Sequence, residues 1–482
     1  MTWVPPPAPA APAARARAVL ADAGYTAEAV QALRRSGAFV PERAARRALA
    51  ADASPVAVLV RLIVVGEAVP LDEADAALGD GLEALAELDL LHADGGSVIP
   101  AVEIVPHDEL MIASDRRDIA EEADVVPGLH SPSATLGTLT IRTPVQRALD
   151  VGTGNGIQAI LISPFAEHVV ATDVNERALA FAQLNCALNG RTNVELRLGS
   201  FLEPVADDRF GLIVANPPYV ISPESRYLFR DSGMGGDQVS AELVRDIPAH
   251  LEPGGHASVM ISWIQEGDLI GPRVQSWVDG AGVDGLLLHT AMTAAESAAN
   301  QWNSDLATDE DRYDAAVDEW NAYYRAEGIE AIGYGTLVLR RRDSAEPWFS
   351  VLALSSHLGG QASTQLLRLF EATDAAQADD ETLLGLTLVP VPTARLTQRL
   401  EREGGAWQDA GTELTVVDAI ELNARVDETS REILMALDGS VTIGEVLARS
   451  AVAAGVAAAD AAQALPLVRR LLTAGYLTPA AP

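Results

Sequence analysis

Apolar residues recur every three or four positions across residues 16–92, which is helical spacing. The pattern predicts helices over 18–23, 27–36, 41–51, 54–65, 71–78 and 82–91. Leu90-Leu91-His92 and Ser97-Val98-Ile99-Pro100 then flank Asp94-Gly95-Gly96, which reads as a hairpin. From about residue 136 the pattern changes. Short apolar runs at 148–151, 169–172, 194–198, 210–215 and 256–263 alternate with helical stretches at 156–162, 176–189 and 241–250. Such alternation predicts a mostly parallel sheet with helices on both faces. Strand-like runs at 283–289 and 335–340 bracket a long insertion. Its segment 309–327 is helical and carries Tyr313, Trp320, Tyr323 and Tyr324. Aromatic residues at that spacing pack a core, although an insertion here can also cover a pocket.

Past the basic run Arg340–Arg342, strands are expected at 348–353 and 386–391. Helices are expected at 429–437, 443–448 and 458–474, with a break at Asp438-Gly439. The chain therefore divides into a disordered Pro/Ala-rich tail (1–13), a helical, winged-helix-like domain (14–105), an α/β domain (106–345) and an α+β, winged-helix-like module (346–482). A length of 482 residues accommodates that many parts.

Composition narrows the function. Hydrophobic residues at 48% and charged residues at 21% are those of a globular protein. Every apolar run is interrupted before the roughly 18 residues a membrane span needs, so no membrane partner is expected. The start lacks the basic and apolar regions of a signal peptide, and a single cysteine, Cys186, allows no internal disulfide. Both fit a cytoplasmic protein. A net charge of −34 disfavours polyanions. One local exception is Arg15, Arg17, Arg34, Arg35, Arg43, Arg46 and Arg47. This Arg15–Arg47 cluster is either a solvated helix face or a docking patch for RNA or an acidic protein. The eight histidines show no metal-ligand spacing, so no metal is expected. His107-Asp108-Glu109 reads as a structural hairpin or a domain-interface element. Nothing in the sequence bears on oligomeric state.

The chemistry concentrates at three strand ends. Asp150-Val151-Gly152-Thr153-Gly154-Asn155-Gly156 closes one strand and opens a helix, where glycines let a ligand approach the backbone. Ile157 stands where a dinucleotide fingerprint needs its third glycine, so that reading fails. Asp173, followed by Val174, ends the second strand; its carboxylate can take ribose hydroxyls or cap the helix at Glu176. Gly199-Ser200-Phe201 ends the third. Asn216-Pro217-Pro218-Tyr219 follows the fourth, and two prolines stiffen the loop. The Asn216 carboxamide and the Pro217 carbonyl can accept hydrogens from a target NH2, while Tyr219 stacks on its planar group. A nitrogen conjugated to a carbonyl or ring is a poor nucleophile, and two acceptors push it toward tetrahedral geometry.

Together these motifs resemble class I methyltransferases of the amide and amino group. That group includes the glutamine methyltransferases of release factors, the N6-adenine enzymes and the N2-guanine enzymes of ribosomal RNA. The resemblance covers about residues 136–290. It implies a Rossmann-like fold and S-adenosylmethionine as cofactor. Asp150, Gly152, Thr153, Gly154, Asn155, Gly156, Asp173, Val174, Ser200, Phe201 and Asn216 would bind it, with Ser200 where the group often has an acid. Asn216, Pro217, Pro218 and Tyr219 would be catalytic. The stretches Ile141–Pro144 and Arg230–Asp237 lean toward the glutamine subgroup, which implies a protein or peptide substrate. The alternative is a nucleobase in RNA or DNA, reached through the Arg15–Arg47 cluster.

Overall fold

The computed structural model describes residues 3–35, 49, 52–116, 123–223, 227–231, 233–307, 309–342, 346–354, 358–453 and 463–480. The expected helix over 41–51 therefore lies outside the described residues.

The centre is an eight-stranded sheet, built from β6 (Val145–Val151), β7 (Ala166–Asp173), β8 (Val194–Leu198), β9 (Phe210–Ala215), β10 (Leu251–Ile264), β11 (Val283–Ala294), β12 (Ala331–Arg341) and β13 (Phe349–Ala353). Their spatial order is β13-β11-β12-β10-β9-β6-β7-β8. The strands from β6 to β10 pair in parallel, and β12 runs antiparallel between β10 and β11. This is the Rossmann-like α/β sheet of the class I type. Parallel neighbours need crossover helices. Here they include α7 (Ile157–Ile162), α8 (Glu176–Leu188) and α9 (Gln238–His250), while α6 (Ser131–Leu139) leads into β6. Every residue of β9 is buried, as a central strand covered on both faces must be.

Strand order reverses at β6, whose neighbours are β7 on one side and β9 on the other. A crevice opens at the carboxyl ends of strands at such a switch point. Register makes it a shared edge. Val151 pairs with Thr172 on β7 and with Ala215 on β9. Gly152, Asp173 and Asn216 therefore leave the sheet side by side, about 4.8 Å apart per strand.

Three expectations are corrected. Residues 3–13 are not a loose tail. The helix α1 begins at Ala10, Trp3 lies edge-on to Phe181 at 6.0 Å, and its carbonyl accepts the Arg177 Nε–H at 2.9 Å. Buried aromatic surface offset the low complexity of the Pro/Ala run. The strand near 348–353 is not part of a separate module, because β13 pairs in parallel with β11 at the sheet edge. Finally, after the expected strand near 386–391, present as β14 (Leu388–Pro390), the C-terminal part holds an antiparallel three-stranded sheet that periodicity did not reveal: β15 (Ala394–Glu403), β16 (Ala406–Val416) and β17 (Leu422–Val426). Residues 395–403 and 406–411 are exposed, so no buried face imposed alternation on them.

The expected hairpin is present as β2 (Leu91–Asp94) and β3 (Ser97–Pro100), with β1 (Val69–Pro70) added against β3. A second hairpin, β4 (Glu103–His107) and β5 (Leu110–Ser114), turns at Asp108 with φ of 49°. The N-terminal core continues into the sheet domain through Ala178, Phe181, Leu184 and Leu188 of α8. The C-terminal core, which includes Phe370 and Leu477, reaches Leu286, Leu288 and Val338 of the central sheet. Among the described residues no helix is long and apolar enough to cross a membrane.

Candidate active site

A cavity of about 710 Å3 occupies the crevice, within the usual size of small-molecule sites. Its lining includes Gly152, Thr153, Gly154, Asn155, Asp173, Val174, Phe201 and the whole Asn216–Tyr219 loop. The structure thus brings together most of the residues singled out in the sequence.

The glycine loop owes its shape to the buried Asp150. Its Oδ2 accepts the Thr153 hydroxyl at 2.6 Å and the Ala159 amide at 2.9 Å. Burial pushes its carboxyl up to about 7. Asp150 is not on the cavity wall, so it shapes the loop from below instead of touching a ligand. Gly152 and Gly154 have φ of 69° and 54°, with open space where a Cβ would stand. A ligand can lie directly on that backbone. Gly156 has φ of 84° and faces Ala182 of α8, so its role is close helix packing.

Asp173 lies on the wall with both oxygens engaged. Oδ2 accepts the Gly154 amide at 2.8 Å, and Oδ1 accepts the Asn175 amide at 2.9 Å. Burial raises its carboxyl above the ordinary range. The helix cap is instead Asn175, whose side chain accepts the Arg177 amide. Each Asp173 oxygen keeps a lone pair that can receive a ribose hydroxyl. Val174 and Phe201 add apolar surface at this end. Phe201 has φ of 42°, and its carbonyl is held by the Thr172 hydroxyl at 2.9 Å. Ser200 does not line the cavity; its carbonyl accepts the Glu203 amide. The glycine loop, the Asp173 carboxylate and the two apolar side chains fit a nucleoside carrying an amino-acid tail.

At the neighbouring loop, Asn216 Nδ2 donates to the Ser133 hydroxyl at 3.3 Å. Pro217 O accepts the Tyr219 amide at 2.8 Å, which tightens the turn and leaves one lone pair. The Tyr219 carbonyl accepts the Ser262 hydroxyl of β10. Burial, with Tyr334 nearby, raises the Tyr219 phenol above its ordinary value, so the ring stays neutral.

Several wall residues escaped sequence reading. Residues 125–128 and 130–133 cover the cofactor end, anchored when Asn155 donates to Pro127 O at 3.0 Å and Asn175 to Asp124 O at 2.9 Å. Thr290, Ala291 and Thr293 of β11, Gln301 and Trp302 of α10 (Ala295–Trp302), and Tyr334 of β12 close the far end. Ser131-Pro132-Ser133 was the one local signal, a helix start with proline in its first turn. The inserted helix α11 (Glu310–Glu327) buries Trp320 and Tyr324. Tyr324 donates to Ile221 O at 2.8 Å, and Tyr323 Oη accepts the Gly236 amide at 2.9 Å. The aromatic stripe is core packing that pins the loops on either side of Arg230.

Other singled-out residues lie elsewhere. Arg142 donates to Gly137 O at 2.8 Å and is off the wall. Asp237 pairs with Arg273 and accepts the Ile264 amide at 2.9 Å. Arg230 reaches the wall but is held in two bonds to Asp231, at 2.8 and 3.0 Å. Ser232 lies outside the described residues. So do the side chains of Arg34, Arg35, Arg43, Arg46 and Arg47. Arg15 pairs with Glu87, and Arg17 donates to Glu109 O at 2.7 Å.

Residues 133–266 match the family model described as Methyltransferase small domain. Residues 22–101 and 372–479 match two models described only as domains of unknown function, DUF7059 and DUF7782. The ribosomal protein uL3 glutamine methyltransferase of Bradyrhizobium diazoefficiens is 39% identical over 23% of this chain and 40% of its own length. The release factor glutamine methyltransferase of Cereibacter sphaeroides is 35% identical over 29% of this chain and 53% of its own. The ribosomal protein L11 methyltransferase of Lactobacillus gasseri is 45% identical over 22% and 28%. Residues 133–266 thus form a class I methyltransferase domain, similar to those of the Asn-Pro-Pro-Tyr group that use S-adenosylmethionine. The chain spans about half, or less, of the length of these curated relatives.

Proposed function

We propose that this protein moves a methyl group from S-adenosylmethionine to the side-chain amide nitrogen of a glutamine or asparagine in a protein or peptide. The observation that carries the reading is the Asn216 carboxamide, tied back through Nδ2 at the same cavity as Asp173 and the glycine loop. The cofactor supplies an electrophilic methyl on a sulfonium. Gly152 and Gly154 would receive its amino-acid tail, Asp173 its ribose hydroxyls, and Val174 with Phe201 its adenine. Asn216 Oδ1 and Pro217 O accept the two hydrogens of the target NH2, and Tyr219 stacks on the amide plane. So held, the nitrogen lone pair would be turned toward the methyl, forming an N–C bond as the sulfonium C–S bond breaks and leaves a neutral thioether. One proton then leaves the nitrogen for water.

The far end of the cavity favours a neutral group. Thr290, Ala291, Thr293, Gln301, Trp302 and Tyr334 there carry no charge at neutral pH, and the Arg230 guanidinium, which lines the cavity beside Trp302, is paired with Asp231. A lysine acceptor requires a base to remove its proton, whereas an amide arrives uncharged. Relatives named as glutamine methyltransferases support the same class. A nucleobase draws less support, because a net charge of −34 repels polyanions and the Arg15 guanidinium is paired with Glu87. The N-terminal part (14–105) and the part beyond β13 would dock the substrate, in a cytoplasmic setting.

The test is transfer of labelled methyl into an extract of cells lacking the protein, divided between protease and nuclease digestion. Label lost with protease supports the amide reading. Label lost with nuclease overturns it.

A further inference from the structure

Asn216 can serve as an acceptor for the target only if its carboxamide faces the right way. The two ends of that group differ by one atom, and a free asparagine flips between them. Here one end is tied. Nδ2 donates to Ser133 Oγ at 3.3 Å, and Oδ1 receives no hydrogen bond among the described residues. Ser133 sits in the first turn of α6, which Ser131 opens with Pro132 next to it. Its own carbonyl accepts Nε2 of Gln158 at 2.7 Å. Gln158 is buried in the first turn of α7, which leaves directly from Gly156. Gln158 Oε1 has no partner among the described residues, so the Ser133 carbonyl holds this buried amide. All three residues line the cavity.

We infer that Ser133 is a positioning residue for the transfer, with Gln158 behind it. The bond from Nδ2 to Ser133 Oγ leaves Oδ1 of Asn216 turned toward the target nitrogen. Through Gln158, the helix that carries the glycine loop also sets the acceptor loop, so the two halves of the site share one register. The catalytic consequence rests on the amide-transfer reading; the Ser133–Asn216 bond does not.

The experiment uses the full-length chain and its Ser133→Ala and Ser133→Thr variants. Transfer rate is measured at saturating S-adenosylmethionine and saturating cell extract, and cofactor affinity by calorimetry. The side-chain amide signal of Asn216 is followed by NMR in protein labelled at asparagine nitrogen, assigned by its loss in Asn216→Asp. Ser133→Ala is expected to lower the maximal rate about tenfold, the size of one net hydrogen bond, with cofactor affinity within about twofold. Its Asn216 signal shifts, and Ser133→Thr restores both rate and signal. An unchanged Asn216 signal in Ser133→Ala overturns the inference, as does an unchanged rate, or a lost rate matched by lost cofactor affinity. If the wild-type chain labels no protein, the amide reading falls, while the NMR comparison still decides whether Ser133 holds Asn216.

Discussion

At the Gly152–Gly156 end of the cavity, the wall is glycine backbone and one carboxylate held by amides. At the other end it is side chain: Thr290, Thr293, Gln301, and an indole that donates to the Tyr334 phenol at 3.2 Å. The backbone and carboxylate of the first end come from two short stretches at adjacent strand ends, with Phe201 and residues 125–128 and 130–133 closing around them. The second is assembled from β11, α10 and β12, which lie beyond the matched methyltransferase segment, residues 133–266. A cofactor of constant structure suits a wall of backbone, which varies little with sequence. A substrate that differs between enzymes suits a wall of side chains on an insertion. The comparison assigns cofactor affinity to one end and substrate choice to the other.

Variants at each end test that division. The largest effect is expected where the ends meet. Asn216→Ala removes the acceptor for the target hydrogens and should lower the rate constant about a thousandfold, with calorimetry showing cofactor affinity nearly intact. A variant that kept most of its activity would sink the assigned chemistry. Asp173→Ala, at the cofactor end, should weaken S-adenosylmethionine binding on the order of ten- to a hundredfold. Substrate KM at saturating cofactor should stay near the wild-type value. Trp302→Ala, at the far end, should do the reverse, raising KM for the protein substrate roughly tenfold with cofactor affinity unchanged. If Trp302→Ala weakened the cofactor as much as the substrate, the two ends would not be separable.

The smallest effect on transfer is expected from Asp150, which appears in the folding equilibrium instead. Its folded carboxyl is raised from 3.8 to about 7 by burial, so between those values the folded chain keeps a proton that the unfolded chain has lost. Stability from this group therefore falls as pH rises from about 4 to about 7, by at most about 1.4 kcal/mol per pH unit. Urea unfolding across that range should show the slope, and Asp150→Asn should flatten it. An identical slope in the variant would move the burden to another group.

Legibility followed the same division. The glycine loop, Asp173 and Asn216–Tyr219 were readable because each is a local run with a fixed place at a strand end. Asp150 and Ser200 show the limit of that reading. Both sit in the right motifs, yet one shapes the loop from beneath and the other turns into the following bend. Ser133 and Gln158 carry no motif, and their part depends on two helices meeting. The β15–β17 sheet was missed because its exposed residues follow no buried face, and β13 was expected as a strand but misplaced because strand order in a sheet is not written in the strand itself.

By itself the sequence determined the alternation of strand and helix, the glycine and proline turns at strand ends, and the residue types offered there. Those depend on backbone preference and local hydrophobic period, which act over a few residues. The tertiary structure alone decided which strand ends stand together, through the Val151–Ala215 and Val151–Thr172 register. It also decided what closes the cavity, because Trp302 and Tyr334 line the same cavity as Asn216 although they lie over 80 residues away in the chain. Contacts of that range form only when the apolar faces of sheet and helices are buried together, and no local preference encodes them.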